Sequence, residues 1–338
     1  MKYSQKKVSE NFAANQAAQL APIEGIVLAW QEGESFYSLL ARNHQIRGAM
    51  APWHTIKAFF GTASGGSLHE DHSELDVFVA KTEGVLGTAD HILKTHTLFR
   101  YFRLFMSSSQ RKQVESGRRS AKKMLNFPLA LSLGGFRGVQ PLKGCAACCL
   151  ADMEKSGMPY WRLTHQYPGI WICPEHDLPL QLSAQEPANQ TGFHWLTPAP
   201  EDFAPIHSHL TKSEFFEKFQ WLSELIASLT LDCDAGAMRV AAERKRLISY
   251  AQSLRVLTPR GRLRSQRTDG IPELVASFTQ FADTYRVCKE FHHLPVDPEP
   301  TYRLLARHLN GKSELCPSER IILTAWSVSL LGPAGATA

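Results

Sequence analysis

"GCAACCLADM" (144–153) and "WICPEHDLPL" (171–180) read as the two halves of one motif. Cys145 and Cys148 are separated by two residues, Cys173 and His176 repeat that spacing, and the whole runs Cys-x2-Cys-x24-Cys-x2-His. Ligands spaced this way turn toward a common ion, so Cys145, Cys148, Cys173 and His176 are predicted to hold one structural Zn2+ in a Cys3His zinc-finger module over residues 141–185. Cys149 stands next to Cys148 and is either its replacement as ligand or a small buried hydrophobe. His165 is a spare donor beside a set of four that is already complete. Four protein ligands leave no position for water, which argues for a structural rather than a hydrolytic metal. Cys233, Cys288 and Cys316 are scattered singly and suit apolar cores.

Outward from that module the pattern is helical. In "SEFFEKFQWLSELIASL" (213–229), Phe215, Phe216, Phe219, Leu222, Leu225, Ile226 and Leu229 repeat as one buried helix face. "ESFYSLLARNHQI" (34–46) repeats it, and Gly48 then leads to "PWHTIKAFFG", with Pro52 suited to a first helical turn and Gly61 to a C-cap. Helix, tight turn and helix in that order give a helix-turn-helix-like pair, an order also met in plain bundles. Further helices are predicted over 271–291, 299–311 and 317–331, with Pro272, Pro300 and Pro317 near their starts. The fold class expected is mainly α. It comprises a mobile tail (1–20), an N-terminal helical domain (21–140), the zinc module (141–185), a proline-rich linker (186–212), a C-terminal helical domain (213–331) and a tail (332–338).

Charge narrows the class of partner. The chain has 338 residues and a net charge of +5, but residues 239–267 alone carry +8, which leaves the remainder at −3. Arg244, Lys245, Arg246, Arg260, Arg262, Arg264 and Arg267 lie in that stretch. Arg260, Arg262 and Arg264 fall on one side if the segment is extended. A second cluster includes Arg118, Arg119, Lys122 and Lys123. Such concentration suits double-stranded DNA or another polyanion, although a solvated helix face also accounts for a charge run. Arg42, Arg47, Trp53 and Lys57 on the first helix pair form a mixed basic and aromatic surface for DNA or a protein partner. The polar N-terminus and the absence of any long apolar run point to a cytoplasmic protein with no membrane partner.

Catalytic signatures are missing. H-E-x-x-H does not occur, and "HEDH" (69–72) has the wrong spacing for it. "GKS" (311–313) resembles the end of a phosphate loop, but Ala306 occupies the position of its first glycine. G-x-S-x-G is absent, and the chain is read as a non-enzyme.

The residues between the two knuckles carry a resemblance. "CAACCLADMEKSGMPYWRLTHQYPGIWICPEHDLPL" is similar to the signature of the TniQ/TnsD family of transposition proteins, with Asp152, Gly157, Tyr160, Trp161, His165, Gln166, Pro168, Gly169 and Leu180 at matching positions. "GESFYSLLARNHQIRG" resembles the family's opening helix, and "HTLFRYFRLFMSSSQRKQV" its His-Thr-Leu element and aromatic run, so the likeness covers roughly residues 22–180. Ala146 and Ala147 stand where family members commonly carry proline. The resemblance implies transposition target selection. The family's members recruit a AAA+ ATPase regulator and the transposase, either by reading an attachment-site DNA or as adaptors on a CRISPR RNA-guided complex. Tyr160, Trp161 and Trp171 are expected to form the miniature core of the zinc module.

Overall fold

The computed structural model describes residues 22–61, 74–116, 142–186, 188–189, 192–311 and 315–332. The two tails, "HEDH", Lys312 and Ser313 of "GKS", and the basic residues Arg118, Arg119, Lys122 and Lys123 lie outside them. The fold is mainly helical, with twelve α-helices among the described residues.

The N-terminal half opens with α1 (Phe36–Ile46) and α2 (Pro52–Phe60). Ser35 starts α1 by accepting a hydrogen bond from the Ser38 amide, and Gly61, at φ 73°, closes α2. They are followed by α3 (Leu75–Lys81), α4 (Ala89–His96), α5 (Phe99–Phe102), which runs into a 3-10 turn, and α6 (Ser108–Ser116). The core is aromatic: Phe78 lies edge-on to Phe36, 4.9 Å between ring centres, and stacks on Phe59 at 5.6 Å.

Next comes the cysteine segment, in which β1 (Lys143–Gly144) leads into α7 (Ala146–Ser156). Strand β2 (Gln181–Leu182) pairs antiparallel with β1, Lys143 opposite Leu182 and Gly144 opposite Gln181, so both ends of the motif meet. A second small pair, β3 (Ala188–Asn189) and β4 (Gly192–Phe193), follows.

Of residues 186–212, expected to act as a linker, residues 194–196 pack against the protein. Trp195 is buried and donates from its indole to the Pro52 carbonyl (3.1 Å), while the Trp161 indole donates to Leu196 O (2.7 Å). The Tyr37 hydroxyl donates to His194 O and accepts from Leu196 N, each at 2.8 Å. Residues 194–199 form no helix or strand, and the carbonyls of His194 and Leu196 accept from donors on neighbouring elements.

The C-terminal half is a bundle of α8 (Ser213–Leu231), α9 (Cys233–Ser253), α10 (Ile271–Tyr285), α11 (Pro298–Asn310) and α12 (Pro317–Leu331). Helix α9 packs on both α8 and α12, and α10 on α11. Asp232 separates α8 from α9 and caps the latter, accepting from the Asp234 and Ala235 amides. The helix expected to run to residue 291 ends at Tyr285, and the chain resumes as a 3-10 turn, Lys289–Phe291. That break turns Glu290 inward toward the cysteine segment.

Candidate metal centre

Two elements present the four side chains. Cys145 is the N-cap of α7, Cys148 sits in its first turn, and Cys173 and His176 belong to a tight turn in which the Asp177 amide bonds to Cys173 O (2.9 Å) and the Cys173 amide to Leu178 O (2.8 Å). The ligand atoms of Cys145, Cys148, Cys173 and His176 all lie within 4.8 Å of one another, with the three cysteines buried and His176 exposed. Cys148 Sγ is 3.6 Å from Cys173 Sγ and 3.3 Å from His176 Nδ1, and Cys173 Sγ is 3.6 Å from that nitrogen. A tetrahedral ion with bonds of about 2.3 Å to sulfur and about 2.0 Å to nitrogen sets ligand separations of roughly 3.5–3.8 Å, so the group fits such an ion.

The chemistry of the donor set agrees. Shared hydrogen bonds hold the Cys145 thiol low and push Cys148 high, because three adjacent sulfurs do not ionise together without a cation between them. The amide end of α7 faces the cluster and favours negative sulfur. Cys149 lies outside the cluster, its thiol pushed up by burial to about 12, so Cys148 is the member of that pair placed to hold an ion.

A second ring of residues locks the first. Arg162 binds Asp152 of α7 through two bonds (2.7 and 3.0 Å) and Glu175 of the second knuckle at 3.0 Å, which ties both halves of the motif to one guanidinium. Buried His165 places Nε2 3.4 Å from Cys173 Sγ, and burial lowers its pKa to about 3, so the ring is neutral. Gln166 accepts from Lys143 N (3.0 Å) and donates to Lys143 O (2.9 Å), fixing β1 to the intervening loop. Neither Arg162 nor Glu290 was anticipated from the sequence. Arg162, adjoining the Tyr160-Trp161 pair, had a signal there, whereas Glu290 had none.

The aromatics expected as a private core do more than that. Trp161 and Trp171 are buried, but their indoles donate outward, to Leu196 O and to Glu290 Oε1 (2.5 Å). Trp171 and Ile172 amides both donate to Ser223 Oγ of α8 at 3.2 Å. On the other side, Ser35 N bonds to Trp161 O (3.0 Å) and Leu163 N to Gly33 O (2.8 Å). The cluster therefore sits at the junction of the two helical halves.

Of the basic residues expected on the surface, three are engaged inside the fold. Arg42 is 4% exposed and pairs with buried Glu34 at 2.8 Å, so it is a core residue and not part of a binding face. Arg244 donates to His308 O (2.7 Å) and Leu309 O (2.9 Å), and Arg246 to Leu331 O and Gly332 O (both 2.9 Å). These two cap the C-terminal carbonyls of α11 and α12 instead of projecting into solvent. Arg47 is half-buried and donates to Ile26 O (3.1 Å). Trp53, Lys57, Lys245, Arg260, Arg262, Arg264 and Arg267 are exposed.

Comparison with known families gives a match to the TniQ family over residues 26–180, from just before α1 to the end of the second knuckle. No curated protein matches the chain. TniQ is a family of non-catalytic transposition regulators. No helix among the described residues is long and apolar enough to cross a membrane.

Proposed function

Because residues 26–180 form a TniQ family domain, we propose that this protein selects target DNA for transposon insertion and recruits a AAA+ ATPase, and through it the transposase, to that site. The observation that carries this reading is the closed Cys3His group at the junction of the two helical halves. Four ligands offer a metal no open position, and their neighbours are side chains that brace it, which suits a scaffold and not a reaction centre. Thiolate and imidazole ligands favour zinc. The protein acts in the cytoplasm on nucleoid DNA and does not hydrolyse nucleotide itself.

A second reading is favoured by one feature. Ile46, Met50 and Trp53, at the tip of the α1–α2 pair, are 50%, 95% and 47% exposed. An apolar tip of this kind fits a protein surface better than a phosphate backbone, as an adaptor on a CRISPR RNA-guided complex requires. The two readings separate on purified components. A direct selector shifts duplex DNA by itself and concentrates the ATPase at the bound site. ATPase loading that is indifferent to this protein, at salt that suppresses non-specific binding, would reject recruitment. Site-directed loading only when a guide complex is added would favour the adaptor.

A further inference from the structure

Within the basic stretch, residues 256–264 form a built hairpin. Leu257 and Leu263 bridge antiparallel, Arg264 N bonds to Val256 O (2.9 Å), and Thr258 N bonds to Arg262 O (2.7 Å). The turn closes with Gly261 N on Thr258 O (2.8 Å), Pro259 in its second position and Gly261 at φ 72°. Proline at that place and a left-handed glycine after the turn are the residues such a reversal requires. Val256, Leu257 and Leu263 are buried and pin the base to the bundle. The Tyr302 hydroxyl adds a bond to Arg264 O (2.7 Å). Alternation then leaves Arg260 at the tip, with Arg262 and Arg264 along one strand, all exposed, Arg264 also donating from Nε to Leu257 O at 3.1 Å. Among the described residues no carboxylate pairs with Arg260, Arg262 or Arg267. Glu299, which contacts the neighbouring Gln266, is already engaged by Arg303 at 2.8 Å.

We propose that this hairpin is a preformed DNA-binding arm, whose Arg262 and Arg264 contact backbone phosphates while Arg260 enters the minor groove of duplex DNA. It rests on the target-selection reading and names the surface through which the selection would be made. A rigid arm loses little conformational freedom on binding, which a disordered basic loop does not achieve. B-form DNA offers a narrow, electronegative minor groove suited to a single inserted arginine, whereas the minor groove of duplex RNA is wide and shallow.

The test is the salt dependence of binding of the full-length protein to a duplex DNA, compared between wild type and the triple variant Arg260→Ala, Arg262→Ala, Arg264→Ala. Each phosphate contact removed lowers the slope of log K against log salt by about 0.9, so the variant's slope should be smaller by roughly 2 or more. The triple Arg→Lys variant keeps the charge and should keep most of the slope while losing affinity through the altered tip. A wild-type protein that binds no duplex DNA would defeat the direct-selector reading itself. Wild-type binding with an unchanged slope in the alanine variant would overturn the arm alone. Equal wild-type affinity for duplex RNA, with the same loss on mutation, would overturn the assignment to DNA.

Discussion

His165 lies against the Cys3His cluster without joining it. Nε2 lies 3.4 Å from Cys173 Sγ, and in the neutral ring the tautomer protonated there would donate to a thiolate sulfur. A hydrogen bond to a ligand thiolate steadies its charge and orientation, so His165→Ala should weaken zinc binding about tenfold or more in competition with a chromophoric chelator. Unchanged affinity would reduce the contact to packing. Two other buried histidines predict a pH dependence. His96 stacks on Trp30, bonds to Glu34 O and faces His91 and Arg100; burial lowers its pKa to about 4. His308 faces Arg244 and Arg320, and burial lowers it to about 3. Both folded values lie below the unfolded value of about 6.5. The unfolded chain therefore binds more protons on acidification, and stability is full above that value and falls below it. Each histidine contributes about 1.4 kcal/mol per pH unit down to its folded pKa. Urea midpoints at pH 7 and pH 5 should show the decline, and His308→Gln should make it shallower. An identical decline in that variant would remove His308 as a source.

At the scale of elements, the Pro168-Gly169 turn is where the cysteine segment docks on the bundle. Gly169 has φ 89°, and a Cβ there would stand 2.7 Å from Ile226 Cδ1 and 3.2 Å from Phe291 Cζ. Gly261, at φ 72°, has nothing within 4 Å. Gly169→Ala adds steric overlap to conformational strain and should cost about 2–3 kcal/mol, while Gly261→Ala carries strain alone, about 1 kcal/mol. Equal losses by urea denaturation would mean that docking at Gly169 is loose. The same elements mark what the sequence could disclose. Spacing was enough to foresee that Cys145, Cys148, Cys173 and His176 come together, since two knuckles need only local turns, and the apolar repeat of 213–229 was enough for α8, because a helix face is local too. The engagement of Arg244 was hidden because its acceptors lie 64 and 65 residues further on. Arg42 carried the same sign as the other basic residues of the pair, and its bonds to Glu34 and to Ala29 O make it a core residue. For the proline-rich stretch, composition suggested a linker and gave no sign of the indoles and the hydroxyl that bind it to the protein.

In the whole molecule, the cluster joins parts that the sequence treats as separate. The knuckle segment bonds to Gly33, Ser35 and Ser38 on one side, the last through Trp161 N at 2.9 Å, and to Ser223 and Glu290 on the other. A module that folded alone would lose its metal with only local consequences over residues 141–180. One braced on both flanks transmits the loss to each. Structural zinc contributes about 10–16 kcal/mol to the folding of small zinc modules, comparable with the whole stability of an ordinary domain, roughly 5–15 kcal/mol. Cys173→Ser, or stripping with a chelator, should therefore lower the melting temperature of the entire chain in one transition. Amide exchange should quicken in both α1 and α8, not only in α7. A melt that splits into two steps, with the bundle α8–α12 retaining its wild-type midpoint, would show that the C-terminal half stands on its own core. The cluster would then brace only the TniQ domain that contains it.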